Sequence, residues 1–356
     1  PNPGHGAGCD CGAPSCGGWG LQSVAPRFSS ARPALEAPLY ERSFRRAITG
    51  STCRILVLDT GIYKDVAVVP PAGPPPPHPT ALTAARARLA RITLIGDPDH
   101  WDVDGNKVLD PFAGHGTFIA GLIANLAPGA HVDCERALTS FGDTDDVVIA
   151  RSLTDKFAAA GKDPYDIVSM SFGGFCEEDD PPIAIARAIS QIQATHRTAS
   201  DLDDPPELIN ERVVFVGSAG NDASCRPTWP ASFENVIAVG ALGPAGPAWF
   251  TNYGPWVDAC APGVDIVSTF FDLSDQAAFD GEDFDGWATW SGTSFSAPIV
   301  AASIAWEWMT RGGREMLSPS PELGVGSGRP GHAATWLLDR PGHFRQPGLG
   351  TVVNPH

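Results

Sequence analysis

Four short apolar runs, each closed by a small or turn-forming residue, constrain this chain more than any other feature. Residues 54–58 (Arg-Ile-Leu-Val-Leu) run into Asp59-Thr60-Gly61, and residues 167–170, 213–216 and 236–239 run into Ser or Gly. Apolar residues in succession, rather than in alternation, mark strands buried on both faces. Residues 147–159 and 181–194 lie between them and read as helices. Strands alternating with helices imply a parallel sheet with helices on both sides, so the expected fold class is α/β. Such sheets carry their functional groups just past the carboxyl ends of the strands.

The chain is long enough for a substantial core: 356 residues, 43% hydrophobic and 18% charged, too apolar for a disordered chain. No run approaches the 18 apolar residues of a membrane span. The net charge of −17 opposes binding to phosphate backbones, so nucleic acid is not an expected partner. Residues 1–18 are rich in Gly and Cys and read as an N-terminal arm. Pro70 to Pro79 form a Pro-rich surface insertion, since that stretch suits neither a helix nor a central strand. The remaining residues, 19–356, are expected to form one catalytic domain.

Three segments put reactive side chains at such turns: Leu58-Asp59-Thr60-Gly61, Gly114-His115-Gly116-Thr117 and Ser291-Gly292-Thr293-Ser294. A serine hydroxyl is a poor nucleophile at neutral pH. It needs an imidazole to take its proton, and the imidazole needs a carboxylate to fix its tautomer. Each segment alone is commonplace, because Asp-Thr-Gly marks ordinary turns and Gly-His-Gly arises by chance. Together with Gly217-Ser218-Ala219-Gly220-Asn221-Asp222, in this order, they are specific.

In that order the chain resembles the subtilisin-like serine proteases, the subtilases. The resemblance implies a three-layer subtilisin-like fold and a serine endopeptidase that cleaves protein or peptide substrates through an acyl-enzyme, as a monomer with no required cofactor. Asp59 would orient the imidazole, His115 would act as base and then acid, and Ser294 would attack the carbonyl. The Asn221 amide and the Ser294 backbone N–H would form the oxyanion hole. Ser171, Phe172, Gly173 and Gly174 resemble the edge that pairs with substrate, and with Ser218, Ala219 and Gly220 they are expected to line the cleft. Trp229-Pro230-Ala231, Ala261-Pro262-Gly263-Val264 and residues 348–355 follow the same pattern, so the resemblance runs from about residue 19 to the end.

Two other readings belong beside this one. A catalytically silent subtilase-like binding protein would usually lack a triad member, and none is missing. A sedolisin-like acid peptidase would use a carboxylate as base and an Asp at the oxyanion position, against which His115 and Asn221 argue. Where the family usually has a second His after the first, this chain has Phe118, from which altered packing is expected. Secreted subtilisins often carry a calcium-binding loop in the stretch from Gly121 to Val132, which is short here, so that site is expected to be absent. Asp97, Asp99, Asp102, Asp104 and Asp110 surround Gly105-Asn106 like an oxygen-rich calcium loop but lack the terminal Glu of an EF-hand, so a structural calcium is the alternative to a metal-free chain.

Cys9, Cys11 and Cys16 fit no standard zinc spacing, and the pairing of these and of Cys53, Cys134 and Cys260 stays open. Cys176 and Cys225 each follow one of the turns flanking the implied cleft, and some actinobacterial subtilases of the mycosin type have a cysteine at similar places. A Cys176–Cys225 disulfide is therefore expected, and with it an extracytoplasmic location. Two thiols in a cytoplasmic enzyme are the alternative. The residues before the first strand are too few and too poor in alternating apolar pattern for the family's folding pro-domain, so a mature or intrinsically chaperone-free form is expected.

Overall fold

The computed structural model describes residues 27–28, 53–63, 92–160, 165–195, 213–273, 284–310, 334, 337–338 and 344–354. The arm at 1–18 and the Pro-rich insertion at 70–79 lie outside them, as do Cys9, Cys11 and Cys16. At the centre runs β2 (Arg54–Asp59), with Ile55, Leu56, Val57 and Leu58 fully buried. Successive side chains of a strand point to opposite faces, so this burial requires cover on both. Each such side chain contributes roughly 1.5–3 kcal/mol.

Beyond β2 on one side lie β4 (His131–Arg136) and then β3 (Ile92–Leu94). On the other side follow β5 (Ile167–Met170), β6 (Val214–Ser218), β7 (Val236–Gly243), β9 (Ala259–Pro262) and β13 (Gly350–Val352). All of these neighbours pair in parallel. The four apolar runs of the sequence are thus β2, β5, β6 and β7, side by side. Two short strands add antiparallel pairs, β12 (Arg345–Gln346) on β13 and β8 (Gly246–Pro247) on β7. A second, antiparallel sheet joins β1 (Arg27–Phe28), β11 (Asp285–Trp290) and β10 (Ile266–Asp272).

The helices pack in two pairs: α1 (His115–Leu126) with α4 (Thr293–Thr310), and α2 (Asp146–Ala160) with α3 (Ile183–Thr195). In α2 the buried residues Ile149, Leu153 and Phe157 recur every four positions, the stripe of a helix with one wet face. No such stripe exists in α1, whose twelve residues are all buried. It is held from the β10 side by the Ser268 hydroxyl on the Phe118 carbonyl at 2.7 Å and the Thr269 hydroxyl on the Thr117 carbonyl at 3.0 Å.

From β2 the chain passes to β3 and β4 on one side and then crosses to β5 on the other. The carboxyl end of β2 is therefore a topological switch point, where doubly wound sheets open a crevice. Asp59 ends that strand.

Candidate active site

Asp59 is fully buried, and its Oδ1 lies 2.8 Å from Nδ1 of His115, itself 1% exposed. The same oxygen accepts the Thr60 N–H at 2.8 Å. His115 is the first residue of α1, and the helix starts there because Gly114 takes a left-handed turn with φ of 83°. A side chain at Gly114 would also strike the Phe270 ring. At Gly116 a Cβ would collide with the Gly61 carbonyl, so the glycine after His115 lets the helix approach the turn after Asp59, while the one before it lets the helix approach Phe270. Trp290 and Phe295 stand 5.3 and 5.4 Å from the imidazole centroid and exclude water from that side. Phe118 packs on the same two rings.

Ser294 lies in the first turn of α4, where helix geometry leaves its N–H without an intrahelical partner. Its hydroxyl donates to the Ser171 carbonyl at 3.1 Å and is not turned to His115. Such contacts commonly tighten only when substrate is bound. The reverse contact is also made: the Ser171 hydroxyl donates to the Ser294 carbonyl at 2.8 Å. Pro298 explains why that carbonyl is available, since it sits four residues on and has no N–H to give.

Asn221 faces the same turn. Its Oδ1 accepts both the Thr293 N–H at 2.8 Å and the Thr293 hydroxyl at 2.9 Å, so what this amide can offer a substrate oxygen is an N–H. A cleft of about 290 Å³, measured with its open mouth, reaches from Ser171, Phe172, Gly173 and Gly174 past Ser218, Gly220 and Asn221 to Ser294. Ala219 is not on this lining. It is buried, and its carbonyl accepts Nδ2 of Asn252 at 2.9 Å. Asp222, which closes the Asn221 motif, is on it, as are Phe175 and Thr228, which the sequence did not single out.

The five grouped carboxylates separate. Asp102, Asp104 and Asp110 bring oxygens within 4.8 Å of one another, and Asp97 is exposed. Asp99 is 1% exposed and turns instead to the residues beside Asp59 and His115. Burial pushes its carboxyl up to about 7, against hydrogen bonds from Thr60, Gly114 and Ser140, with the Asp59 charge adding to the rise. The unfolded chain releases this proton near 4, so between about pH 4 and 7 the folded state holds one more proton and stability falls as pH rises. At about 1.4 kcal/mol per pH unit the loss is roughly 4 kcal/mol across that window. Asp99→Asn should remove this component from denaturation midpoints measured between pH 4 and 8; an unchanged slope would contradict the assignment.

The expected Cys176–Cys225 disulfide is not formed. Cys176 keeps its thiol, as do Cys53, Cys134 and Cys260, whereas Cys225 is disulfide-bonded. The two turns do meet, through paired backbone hydrogen bonds of 3.0 Å between Gly174 and Trp229. The side chain that spans them is Arg226, which donates to the Cys176 carbonyl at 2.6 Å, pairs with Asp179 and stacks over Phe175 at 4.9 Å. A guanidinium offers several donors to such a junction.

Residues 50–312 match the Peptidase_S8 Subtilase family. The chain is 31% identical over 239 residues to the thermophilic serine proteinase of Bacillus sp. (strain AK1), a match covering 61% of this chain and 51% of that protein. It thus spans about half the length of that relative. With Subtilisin Savinase of Lederbergia lenta it shares 27% over 270 residues, 73% of this chain and 77% of the other. A solved cold adapted subtilisin-like serine proteinase superposes with a TM-score of 0.54 at 19% identity, over 85% of this chain and 89% of that one, which shows the common fold. With the family pattern matched across most of its length, the chain belongs to the subtilase family.

Proposed function

We propose that this subtilase is a serine endopeptidase that cleaves peptide bonds through Asp59, His115 and Ser294. The observation that carries the reading is the 2.8 Å contact between His115 Nδ1 and a buried Asp59 oxygen, which leaves the other imidazole nitrogen as the base. Rotation of the Ser294 hydroxyl away from the Ser171 carbonyl delivers its proton to that nitrogen as Oγ bonds to the scissile carbon. The carbonyl oxygen takes the negative charge and receives N–H donors from Ser294 and Asn221. Collapse breaks the C–N bond, and the leaving amine takes the proton from His115. Water then repeats the sequence on the acyl-enzyme, giving up a proton to His115 and releasing Ser294. Every group used belongs to the chain, so this chemistry calls for no cofactor.

The substrate in this reading is a protein or peptide held extended along residues 171–174, a mode that relies on backbone hydrogen bonds. The pairing of β13 with β9 supports a single catalytic domain reaching to the end of the described residues. The disulfide at Cys225 supports an extracytoplasmic location, and among the described residues no helix is long and apolar enough to cross a membrane.

A fluorophosphonate probe tests the reading, because it reacts only with an activated serine. The expected result is one covalent adduct, mapped to the peptide containing Ser294, together with cleavage of peptide substrates at neutral pH. A catalytically silent binding protein would give no adduct. Best activity near pH 3 to 4 would point to the acid-peptidase mechanism instead.

A further inference from the structure

Asp99 and Thr60 are joined to the backbone on both sides of His115. Oδ2 of Asp99 accepts the Gly114 N–H at 2.7 Å and the Thr60 hydroxyl at 2.8 Å. The Thr60 oxygen in turn accepts the Gly116 N–H at 3.1 Å. Oδ1 of Asp99 accepts the His100 N–H at 2.9 Å and the Ser140 hydroxyl at 3.1 Å. Gly114 and Gly116 flank His115 in the chain, and the Thr60 N–H is bonded to the same Asp59 oxygen that meets the imidazole.

We propose that Asp99 is a positioning residue: acting with Thr60, it fixes the backbone N–H groups of Gly114 and Gly116, the neighbours of His115 on either side, and so holds the imidazole in line for proton transfer. The proposal rests on the reading of Asp59, His115 and Ser294 as the reacting groups. Asp99 itself touches none of the reacting atoms. Its effect comes through geometry, where displacements of about 1 Å can cost on the order of 100-fold in rate. Once ionised, above the pH of about 7 to which burial lifts it, the carboxylate suits the position because each of its oxygens faces a backbone N–H, and backbone N–H groups only donate. An amide has one acceptor oxygen, so Asn at 99 would turn its NH₂ against either Gly114 or His100.

The test is steady-state kinetics of Asp99→Asn, Thr60→Val and Thr60→Ser on a peptide substrate at about pH 8.5, where Asp99 is ionised, with active sites counted by the fluorophosphonate probe. Asp99→Asn and Thr60→Val should lower kcat per active site by about 10- to 100-fold with KM within about twofold. Thr60→Ser keeps the hydroxyl and should stay within about threefold of wild type. Thr60→Val is close in shape to Thr and serves if Asp99→Asn folds poorly. A merely structural role would reduce the number of titratable sites and Tm while leaving kcat per site intact, and that result would overturn the proposal. So would equal losses in Thr60→Ser and Thr60→Val, or a loss confined to KM. A wild-type protein that takes no probe and cleaves nothing would overturn the triad reading, and this proposal with it.

Discussion

Ser294→Ala is expected to lower kcat by on the order of 10⁶-fold, because it removes the only atom that bonds to substrate in the proposed reaction. Losing the nucleophile of such a triad costs about as much as losing the whole triad, since imidazole and carboxylate act through it. A residual rate, roughly 10³–10⁴ above that in water, should survive on binding and oxyanion donors alone. The fold should be little affected. The substitution deletes one hydrogen bond, from the Ser294 hydroxyl to the Ser171 carbonyl, and leaves the Ser171 hydroxyl on the Ser294 carbonyl. Single-turnover assays on purified variant and wild type, with Tm measured alongside, decide the matter. Cleavage by the variant at the wild-type rate would remove Ser294 from the mechanism.

Asn221→Ala should cost about 10²–10³ in kcat, roughly 2.7–4 kcal/mol in the barrier, with a much smaller change in KM. The asymmetry follows from where the charge is. The substrate carbonyl is only weakly polar, whereas the tetrahedral intermediate carries a full negative charge, so a donor aimed at it acts mainly on the barrier. The aim is set by Thr293, whose N–H and hydroxyl both hold the amide oxygen while the hydroxyl also accepts the Gly220 N–H at 3.1 Å. Asn221→Asp should be at least as damaging, because it presents a carboxylate where the intermediate places its own charge. A variant with altered KM and unchanged kcat would show that Asn221 serves ground-state binding.

Much of this was legible in the sequence, and the residues show why. Strands β2, β5, β6 and β7 could be read because a strand covered on both faces has no polar side to interrupt its apolar run. Asp59, His115 and Ser294 stood out as candidates because each lies in a turn rich in glycine and small residues, which let one backbone segment come close to another. Ala219 was placed on the cleft with its neighbours, but β6 ends at Ser218 and the chain turns at Gly220, where φ is 100°. Ser218 and Gly220 line the cleft, while Ala219 is buried with Val257, Cys260 and Leu349. Asp99 could not be separated from Asp97 or Asp102 by residue type. What distinguishes it is a set of donors that come from residues 60, 114 and 140, distant in the chain. The meeting of the turns carrying Cys176 and Cys225 was foreseeable from parallel strand ends. Which side chain bridges them depends on directions that spacing does not encode, and Arg226 does so.

Pro298 interrupts the hydrogen-bond ladder of α4 one turn after Ser294, and the strand-end residue Ser171 takes the place left open. The serine is thereby moored to the edge on which a substrate would lie, through its carbonyl and its hydroxyl, and not only to its own helix. Anvil and hammer share one mount: if the helix slides or tilts over the sheet, attacking oxygen and docked backbone travel together, and their separation is preserved.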